Sequence, residues 1–210
     1  MNDSSIAYFD KHGENLIQNY QELDRASVLK PFLAHIDMLY LNLKRPLKIL
    51  DVGAGIGADA EFLTQYIPCE IFAVEPSKTL KKHAKPNKKI QWLDDTLPHL
   101  KATIALKHKF DLILCDSVFQ YIERKYHIKV LTKCSMMLNH LTDLAAVALL
   151  YPTTPTKPHQ YKLNKNMLIP AINEARLEIK SFQSIASMGE RKNKNGDALF
   201  FEYLVLTIKN

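Results

Sequence analysis

Glycine occupies three alternate positions in the segment LKILDVGAGIGADA, residues 47–60: Gly53, Gly55 and Gly57. A glycine has no Cβ, so its backbone can adopt a positive φ or come close to a ligand. The pattern predicts a strand that ends at Val52, a glycine turn, and a helix that begins near Ala58. This arrangement places backbone N–H groups and a helix N-terminus at the carboxyl edge of a sheet, where ligands bind.

The glycines alone do not identify the ligand, because they also satisfy the relaxed dinucleotide pattern G-x-G-x-x-G/A. The acidic residues that follow the predicted strands indicate its chemical class. Asp51 precedes the first glycine, where a carboxylate can serve a cationic or amine-bearing ligand through water or by orienting the loop. Glu75 ends the second predicted strand and can accept hydrogen bonds from both hydroxyls of a ribose. Asp94-Asp95 follow the third strand, where an acceptor can meet the amino group of an adenine. Together with Asp116 at the end of the fourth strand, they predict a ligand with a ribose, an adenine and a positive centre.

The apolar pattern predicts the elements that position these residues. Residues 5–42 have helical spacing and predict a helical cap. Five apolar runs follow: LKILDV (47–52), EIFAVE (70–75), KIQWL (89–93), FDLILC (110–115) and LAAVALLY (144–151). Helical patterns lie between them at 58–66, 77–84, 97–107 and 124–141. Continuous apolar strands joined by helices predict an α/β fold, with a parallel sheet covered on both faces.

The last part of the chain has a different pattern. The segment PTTPTKPHQ, residues 152–160, predicts an exposed loop, and residues 163–176 predict a helix. LEIKSFQSI (177–185) and ALFFEYLVLTI (198–208) predict an antiparallel pair of strands around the turn-prone RKNKNGD. We therefore expect one domain, with a cap at 1–45, a ligand-binding core at 46–151, and a substrate-side loop, helix and closing strands at 152–210.

The order and spacing of DVGAGIG, VEPS, WLDD and FDLILCDSVFQYI resemble those of the class I S-adenosylmethionine-dependent methyltransferases. The resemblance covers residues 47–151, and it implies a Rossmann-like sheet of seven strands and S-adenosylmethionine as the cofactor. With YFDKHGENLIQNY in front, the chain is similar to small bacterial members that have an N-terminal helical lid. It departs from them at Ala58, where the group has an arginine, and at HLTDL, which replaces a Pro-Gly-Gly turn.

The resemblance also implies a role for individual residues. The predicted cofactor site comprises Asp51, Gly53, Ala54, Gly55, Gly57, Glu75, Pro76, Leu93, Asp94, Asp95, Asp116 and Tyr20. The amino-acid tail of the cofactor is expected to contact Gly53, Ala54 and Gly55. Glu75 is expected to contact the ribose, Pro76 and Leu93 the adenine face, and Asp94 or Asp95 the adenine amino group. Tyr8 and Tyr20 of the cap are candidates to close over the carboxylate, with plain core packing as the alternative.

A sulfonium is an activated methyl donor, so alignment and exclusion of water are the main tasks of such a protein. If the acceptor must lose a proton, the candidate bases are Asp116, Tyr121, Glu123 and His127, each of which could instead cap a helix, carry surface charge or pack in the core. The segment Cys115-Asp116-Ser117-Val118 lacks the Pro-Pro-aromatic sequence typical of enzymes that methylate amino groups of nucleic acids. This argues against such an acceptor.

Two other functions compete with methyl transfer. Tyr121 and Lys125 have the Y-x-x-x-K spacing of NAD(P)-dependent short-chain oxidoreductases, but the glycine motif lacks the Thr-Gly start of that family. A non-catalytic protein that binds the cofactor or a partner on the same fold is the second alternative. Binding without turnover would distinguish it.

The composition and charge of the chain bear on its location in the cell, on metal binding and on the acceptor. The 210 residues are 47% hydrophobic, no stretch is long and apolar enough to span a membrane, and the N-terminus lacks an apolar signal region, so a cytoplasmic protein is expected. Cys69, Cys115 and Cys134 predict buried thiols rather than a metal site.

Residues 78–109 hold nine lysines and two acids. They favour an anionic small molecule, a protein or an RNA as the acceptor, whereas a cap over the crevice favours a small molecule.

Overall fold

A computed structural model describes residues 3–186 and 199–209, which form a seven-stranded sheet. The strands are β1 Leu47–Val52, β2 Cys69–Val74, β3 Ile90–Leu93, β4 Leu112–Asp116, β5 Ala146–Pro152, β6 Leu177–Ala186 and β7 Phe200–Ile208. Their order in the sheet is β3-β2-β1-β4-β5-β7-β6. Strands β1 to β5 are parallel, and β7 is antiparallel to both β5 and β6. The predicted α/β class and the closing antiparallel pair are confirmed.

Helices connect the strands and cover both faces of the sheet. In the described residues they are α1 Asp3–His12, α2 Glu14–Glu22, α3 Arg25–Leu43, α4 Ala58–Tyr66, α5 Lys78–Lys81, α6 Lys101–Ala105, α7 His127–Met137 and α8 Lys165–Glu174. Short 3₁₀ turns at Phe119–Tyr121 and Arg124–Tyr126 precede α7. None of these helices combines the length and the apolar composition that crossing a membrane requires.

The strands are apolar throughout because both faces of the sheet are buried. On one face, Leu29, Phe32 and Ile36 of α3 pack in a cluster that includes Ile49 of β1. On the other face, a second cluster joins Leu50 of β1 to residues of α7 and α8. The cap helix α3 therefore shares a core with the sheet, whereas the division of the chain into three parts stays a prediction.

The helix boundaries differ from the sequence prediction where polar capping groups intervene. The pattern at 97–107 yields a helix only from Lys101 to Ala105, since Asp95 accepts a hydrogen bond from the N–H of Thr103 at 2.8 Å and fixes the first turn. Helix α3 begins after Asp24, whose side chain accepts from the N–H of Ala26. The predicted RKNKNGD turn lies outside the described residues.

Candidate functional site

A cavity of about 900 Å³ opens at the carboxyl ends of β1, β4 and β5. The connections from β1 to β2 and from β4 to β5 leave in opposite directions along the sheet, so the cavity lies at the topological switch point between β1 and β4. The volume is near the upper end of the roughly 300–1,000 Å³ that is usual for ligand sites. It has room for more than one bound molecule.

The three glycines of the β1–α4 turn all have positive φ, but their surroundings differ. A Cβ added to Gly53 would lie 2.8 Å from the side chain of Val118, and one added to Gly57 would lie 2.9 Å from the ring of Trp92. At Gly55 there is no atom within 4 Å of the added Cβ, and this residue lines the cavity. The protein itself therefore requires glycine for close packing at 53 and 57, while the space at 55 is available to a ligand.

Glu75 follows β2 and lines the same cavity. Its Oε2 accepts from the N–H of Gly55 at 2.9 Å and its Oε1 accepts from the N–H of Ser77 at 2.7 Å. Burial raises the pKa of Glu75 to about 7, although these two hydrogen bonds oppose the shift. The carboxyl group is thus fixed beside the glycine turn, and it titrates near neutral pH.

Asp59, Asp116 and Arg25 line the base of the cavity, and Asp51 lies close to them but outside the cavity wall. We call these four residues the acidic floor. Nη1 of Arg25 is 3.0 Å from Oδ1 of Asp59 and 3.8 Å from Oδ2 of Asp116. Burial, and then the charge of Asp59, raise the pKa of both Asp51 and Asp116 well above their usual range. One guanidinium does not balance three ionised carboxylates, so the empty floor retains protons, and a positively charged ligand is favoured because it stabilises the ionised forms of Asp51 and Asp116.

Unused hydrogen-bonding groups also concentrate at this floor. Four buried side-chain atoms have no partner in the described part of the chain, and three of them are Nε of Arg25, Oδ2 of Asp51 and Oε1 of Gln120. Arg25 and Gln120 line the cavity. A buried polar atom without a partner costs about 1 to 3 kcal/mol, so a polar ligand in the cavity could offset this cost at Arg25 and Gln120.

The N-terminal helices form one side of the roof. Asp10 accepts hydrogen bonds from Oγ of Ser77 at 2.8 Å and from the N–H of Thr79 at 3.3 Å. A Cβ added to Gly13 would lie 3.0 Å from the side chain of Thr79 and 3.1 Å from that of Leu80, so the junction of α1 and α2 packs closely against the segment that follows Glu75. Phe9 lines the cavity and stacks edge-on with Tyr121. These contacts hold α1 and α2 against the segment that follows Glu75, the predicted ribose ligand.

The proline-rich segment 152–160 forms the other side of the roof, so it is more than the exposed loop that the sequence predicts. Nζ of Lys157 donates to the hydroxyl of Tyr20 at 3.1 Å, and Nε2 of Gln160 donates to the hydroxyl of Tyr121 at 2.9 Å. All four residues line the cavity. Burial raises the pKa of Tyr20 and of Tyr121, so both phenols are neutral and remain hydrogen-bond donors.

Several predicted site residues lie outside the cavity wall. Among the described residues, the wall does not include Asp51, Gly57, Pro76, Leu93, Asp94, Asp95 or Tyr8. Both oxygens of Asp95 are occupied by Thr96 and Thr103, because the first turn of α6 needs an acceptor. Asp94 is exposed, which leaves it as the candidate for the adenine amino group. Tyr8 packs on Phe9, His12 and His159 instead of facing the cavity.

Of the four candidate bases, two line the cavity and two lie outside its wall. Asp116 and Tyr121 line the cavity. Nε2 of His127 is 3.0 Å from the carbonyl oxygen of Ile122, and burial lowers the pKa of this histidine, so it serves the packing of α7. Glu123 is paired with Lys125 at 2.7 Å. Lys125 also stacks on Tyr126 and is exposed, whereas Tyr121 is buried, so the Y-x-x-x-K spacing does not form an oxidoreductase pair.

A family model described as a methyltransferase domain matches residues 49–140, which include the glycine turn, Glu75 and Asp116. The matched residues therefore carry a methyltransferase domain, and the strand order of the sheet agrees with the resemblance of the motifs to class I S-adenosylmethionine-dependent enzymes. A comparison with curated protein sequences finds no match. The confirmed resemblance rests on the motifs and on the strand order, and it does not depend on the arginine that is absent at position 58.

Solved structures have the same fold as this methyltransferase domain. Magnesium protoporphyrin IX methyltransferase from Synechocystis PCC 6803, with bound S-adenosylmethionine, has a TM-score of 0.69 at 11% identity over 100% of this chain and 98% of that chain. A didemethyltoxoflavin N1-methyltransferase from Burkholderia thailandensis has a TM-score of 0.67 at 12% identity over 98% of this chain and 87% of that chain. A TehB-like methyltransferase from Corynebacterium glutamicum has a TM-score of 0.60 at 16% identity over 99% of this chain and 100% of that chain.

The sequence did not single out Arg25 or Gln120 as site residues of the methyltransferase domain. Arg25 starts α3 and reaches Asp59, the second residue of α4, so a guanidinium lies beside the position where related enzymes carry an arginine and this chain has Ala58. Neither residue gave a sequence signal: Arg25 reaches Asp59 only after folding, and Gln120 belongs to a short 3₁₀ turn that has no periodic pattern.

Proposed function

We propose that the cavity binds S-adenosylmethionine over the acidic floor and that the protein transfers the methyl group to a small-molecule acceptor under the cap. The observation that carries this proposal is the acidic floor, where three carboxylates face one guanidinium and buried polar atoms lack partners. A ligand with a positive sulfur, an ammonium group and a carboxylate matches this set of groups better than a dinucleotide does, because a pyrophosphate would be repelled by the acids.

The residues present fit the cofactor at several positions. Glu75 is fixed by two backbone N–H groups and can accept from both ribose hydroxyls. The open space at Gly55 accommodates a chain that passes close to the backbone. Asp51 and Asp116 favour the positive end of the ligand, and Arg25 is placed to pair with its carboxylate. Tyr20 lies above them, where its hydroxyl is already oriented by Lys157.

When bound, the cofactor supplies a methyl group that a positively charged sulfur has already activated. The chain aligns the methyl donor with the acceptor and excludes water from them. Helices α1 and α2 and the segment 152–160 cover the cavity and limit the access of water. Asp116 ends β4 at the floor, where its carboxylate can hold the proton of an acceptor O–H or N–H. Its raised pKa makes it a better proton acceptor than an ordinary aspartate once it is ionised.

A small-molecule acceptor is supported by the roof. Side chains of the cap and of the segment 152–160 meet over the cavity through Lys157–Tyr20 and Gln160–Tyr121, which suits a small molecule better than a polymer. The Burkholderia neighbour was solved with the small molecule 1,6-didemethyltoxoflavin bound. We therefore propose that the lysines of residues 78–109 form a solvated surface and do not hold a polymeric acceptor.

The test is a transfer assay with S-adenosylmethionine labelled on its methyl group. The protein is incubated separately with the small-molecule, protein and RNA fractions of its host cells, and the label in each fraction is counted. We expect label in the small-molecule fraction, and no label with an Asp116→Asn variant that still binds S-adenosylhomocysteine. Label in the RNA or protein fraction would overturn the proposed acceptor class, and cofactor binding without transfer to any fraction would favour a non-catalytic binding protein.

A further inference from the structure

We propose that the part of the cavity between α3 and strands β5, β7 and β6 binds the acceptor, and that the acceptor is an uncharged molecule with a flat aromatic ring and an O–H or N–H group. We call this part the acceptor chamber. The inference rests on the proposed function, since an acceptor is meaningful only if the acidic floor holds the methyl donor. It adds the location and the chemical class of the acceptor.

The register of the strands builds the sheet side of the acceptor chamber. Asp116 lies opposite Leu150, Leu150 lies opposite Tyr203, and Tyr203 lies opposite Gln183. Directly opposed residues point to the same face of a sheet, so these four form one row that runs away from the acidic floor. All four line the cavity.

A second row lies two residues further along the same strands. Pro152 is opposite Phe201, and Phe201 is opposite Ile185. Because side chains alternate between the two faces of a sheet, this row points to the same face as the first one, and all three residues line the cavity. The sheet side therefore presents two aromatic rings flanked by aliphatic side chains, beginning one strand away from Asp116.

The helix side of the acceptor chamber presents three small residues, beside Val28 and the exposed Lys30, which also line the cavity. Ser27, Pro31 and Ala34 lie on one face of α3 at spacings of four and three residues, and they line the cavity. Phe32 of the same helix packs on Tyr203 with ring centroids 5.6 Å apart, which holds α3 close to β7. Small side chains on a helix that is held close to an aromatic sheet face leave a flat space, and this shape suits a planar ring.

The charges that border the acceptor chamber point to an uncharged ligand. Within the described residues of β5, β6 and β7 that line it, none carries a carboxylate, an ammonium or a guanidinium group. Burial, and then the charge of Asp116, raise the pKa of Tyr203 to about 12, so its phenol is neutral. Asp116 faces the positive end of the methyl donor, and Lys30 of α3, which also lines the cavity, is exposed to solvent. A charged ring would therefore lose its hydration here without gaining a buried counter-ion.

Two acceptor atoms are available for the O–H or N–H group of the ligand. One is the carboxylate of Asp116, at the end of the first row. The other is the carbonyl of Ser27, because Pro31 has no N–H to donate to it four residues earlier in the helix. Both residues line the cavity. A ring lying over Leu150 would place its polar group between the acidic floor and α3.

The test uses the protein saturated with S-adenosylhomocysteine and 2-naphthol as the probe. Calorimetric titration with 2-naphthol is compared with 2-naphthoate, which is anionic, with 2-naphthylmethylamine, which is cationic, and with decahydro-2-naphthol, which is not planar. We expect saturable binding of 2-naphthol and binding at least about tenfold weaker for the other three, a difference of about 1.4 kcal/mol or more. Equal or tighter binding of any of the three, or no binding of 2-naphthol, would overturn the inference.

A matched pair of variants locates the probe. Phe201→Ala removes a ring from the acceptor chamber, and we expect it to weaken 2-naphthol binding at least about tenfold. Phe182→Ala removes a ring from the other face of the same strand pair, where Phe182 lies opposite Leu204 and under Lys165, and should leave probe binding unchanged. Equal effects of the two variants would contradict the location.

Binding of S-adenosylhomocysteine is measured first in each case. Loss of this binding would count against the proposed function. Retention of this binding without binding of 2-naphthol would count against this inference alone.

Discussion

Glu75 is held by two backbone N–H groups, yet burial raises its pKa to about 7. Ribose hydroxyls donate more strongly to a carboxylate than to a neutral carboxyl group. Ligand binding should therefore favour the ionised form of Glu75. A residue that the sequence marks only as an acid at a strand end thus becomes a pH-dependent part of the site.

We expect Glu75→Gln to weaken the binding of S-adenosylhomocysteine by about 1.5 to 3 kcal/mol, because it removes the charge from two hydrogen bonds to the ribose. In the wild-type protein, affinity should rise between about pH 6 and about pH 8 as the carboxyl group ionises, and the variant should lose that part of the rise. Calorimetric titration at several pH values measures both effects. Glu70→Gln, at an exposed position near the start of β2 and away from the cavity, is the control and should bind normally. A variant with wild-type affinity at pH 8 would exclude the ribose role.

Arg25 is the cation of the acidic floor, and its side chain is mostly buried. Arg25→Gln leaves Asp59 and Asp116 without a counter-charge, so we expect a loss of about 3 kcal/mol in the free energy of unfolding. Adding Asp59→Asn should restore much of the stability. It should not restore the affinity for S-adenosylhomocysteine, because Arg25, the proposed partner of the ligand's carboxylate, is still absent. Arg124→Gln at an exposed position is the control. If the double variant recovered the affinity as well, Arg25 would be only a structural counter-ion.

The β1–α4 turn shows, at the scale of elements, how one motif serves both folding and binding. Its three glycines have φ values of 77°, 58° and 78°, yet only Gly55 has open space where a Cβ would lie. Sequence spacing alone could not separate these roles. They depend on Val118 and Trp92, which come from later parts of the chain.

This difference can be tested with two alanine variants. We expect Gly55→Ala to lower stability by about 1 to 2 kcal/mol, the cost of a positive φ at alanine, while markedly weakening the binding of S-adenosylhomocysteine. Gly57→Ala should cost about 1 to 3 kcal/mol more than that, because its Cβ also overlaps the ring of Trp92. Denaturant unfolding measures the first quantity and calorimetry the second. The interpretation would be wrong if Gly55→Ala bound the ligand like the wild-type protein.

The strands and most helices were predictable because their signals are local. LKILDV gave β1 with the observed boundaries, and the pattern at 58–66 gave α4. The roles of Asp95 and His127 were not predictable, because they depend on which helix start or carbonyl lies nearby after folding. The same holds for the segment 152–160, whose prolines predict an exposed loop, while Lys157 and Gln160 contact tyrosines that are distant in sequence.

At the scale of the whole molecule, the acidic floor should lower stability as the pH rises. Burial raises the pKa of Asp51 well above its ordinary value of 3.8, so the folded state retains a proton that the unfolded state has released. The stability from this group is complete below about pH 4 and is lost as the pH rises toward the folded pKa. His35 and His127, whose pKa values burial lowers, act in the opposite direction.

Comparison with Asp51→Asn isolates this effect, because the histidines contribute equally to both proteins. We expect the difference in the free energy of unfolding, wild type minus variant, to fall steadily from about pH 4 to about pH 8. Denaturant unfolding at each pH gives this difference. A difference that is constant or that rises with pH would show that Asp51 is ionised in the folded protein.

The most direct measurement is a side-by-side calorimetric titration of the purified protein with S-adenosylmethionine, S-adenosylhomocysteine, NAD and NADP. The acidic floor, Glu75 and the open space at Gly55 together predict saturable binding of the first two and no binding of the nicotinamide nucleotides. Binding of NAD or NADP, or of none of the four, would contradict the assignment of this cavity to S-adenosylmethionine.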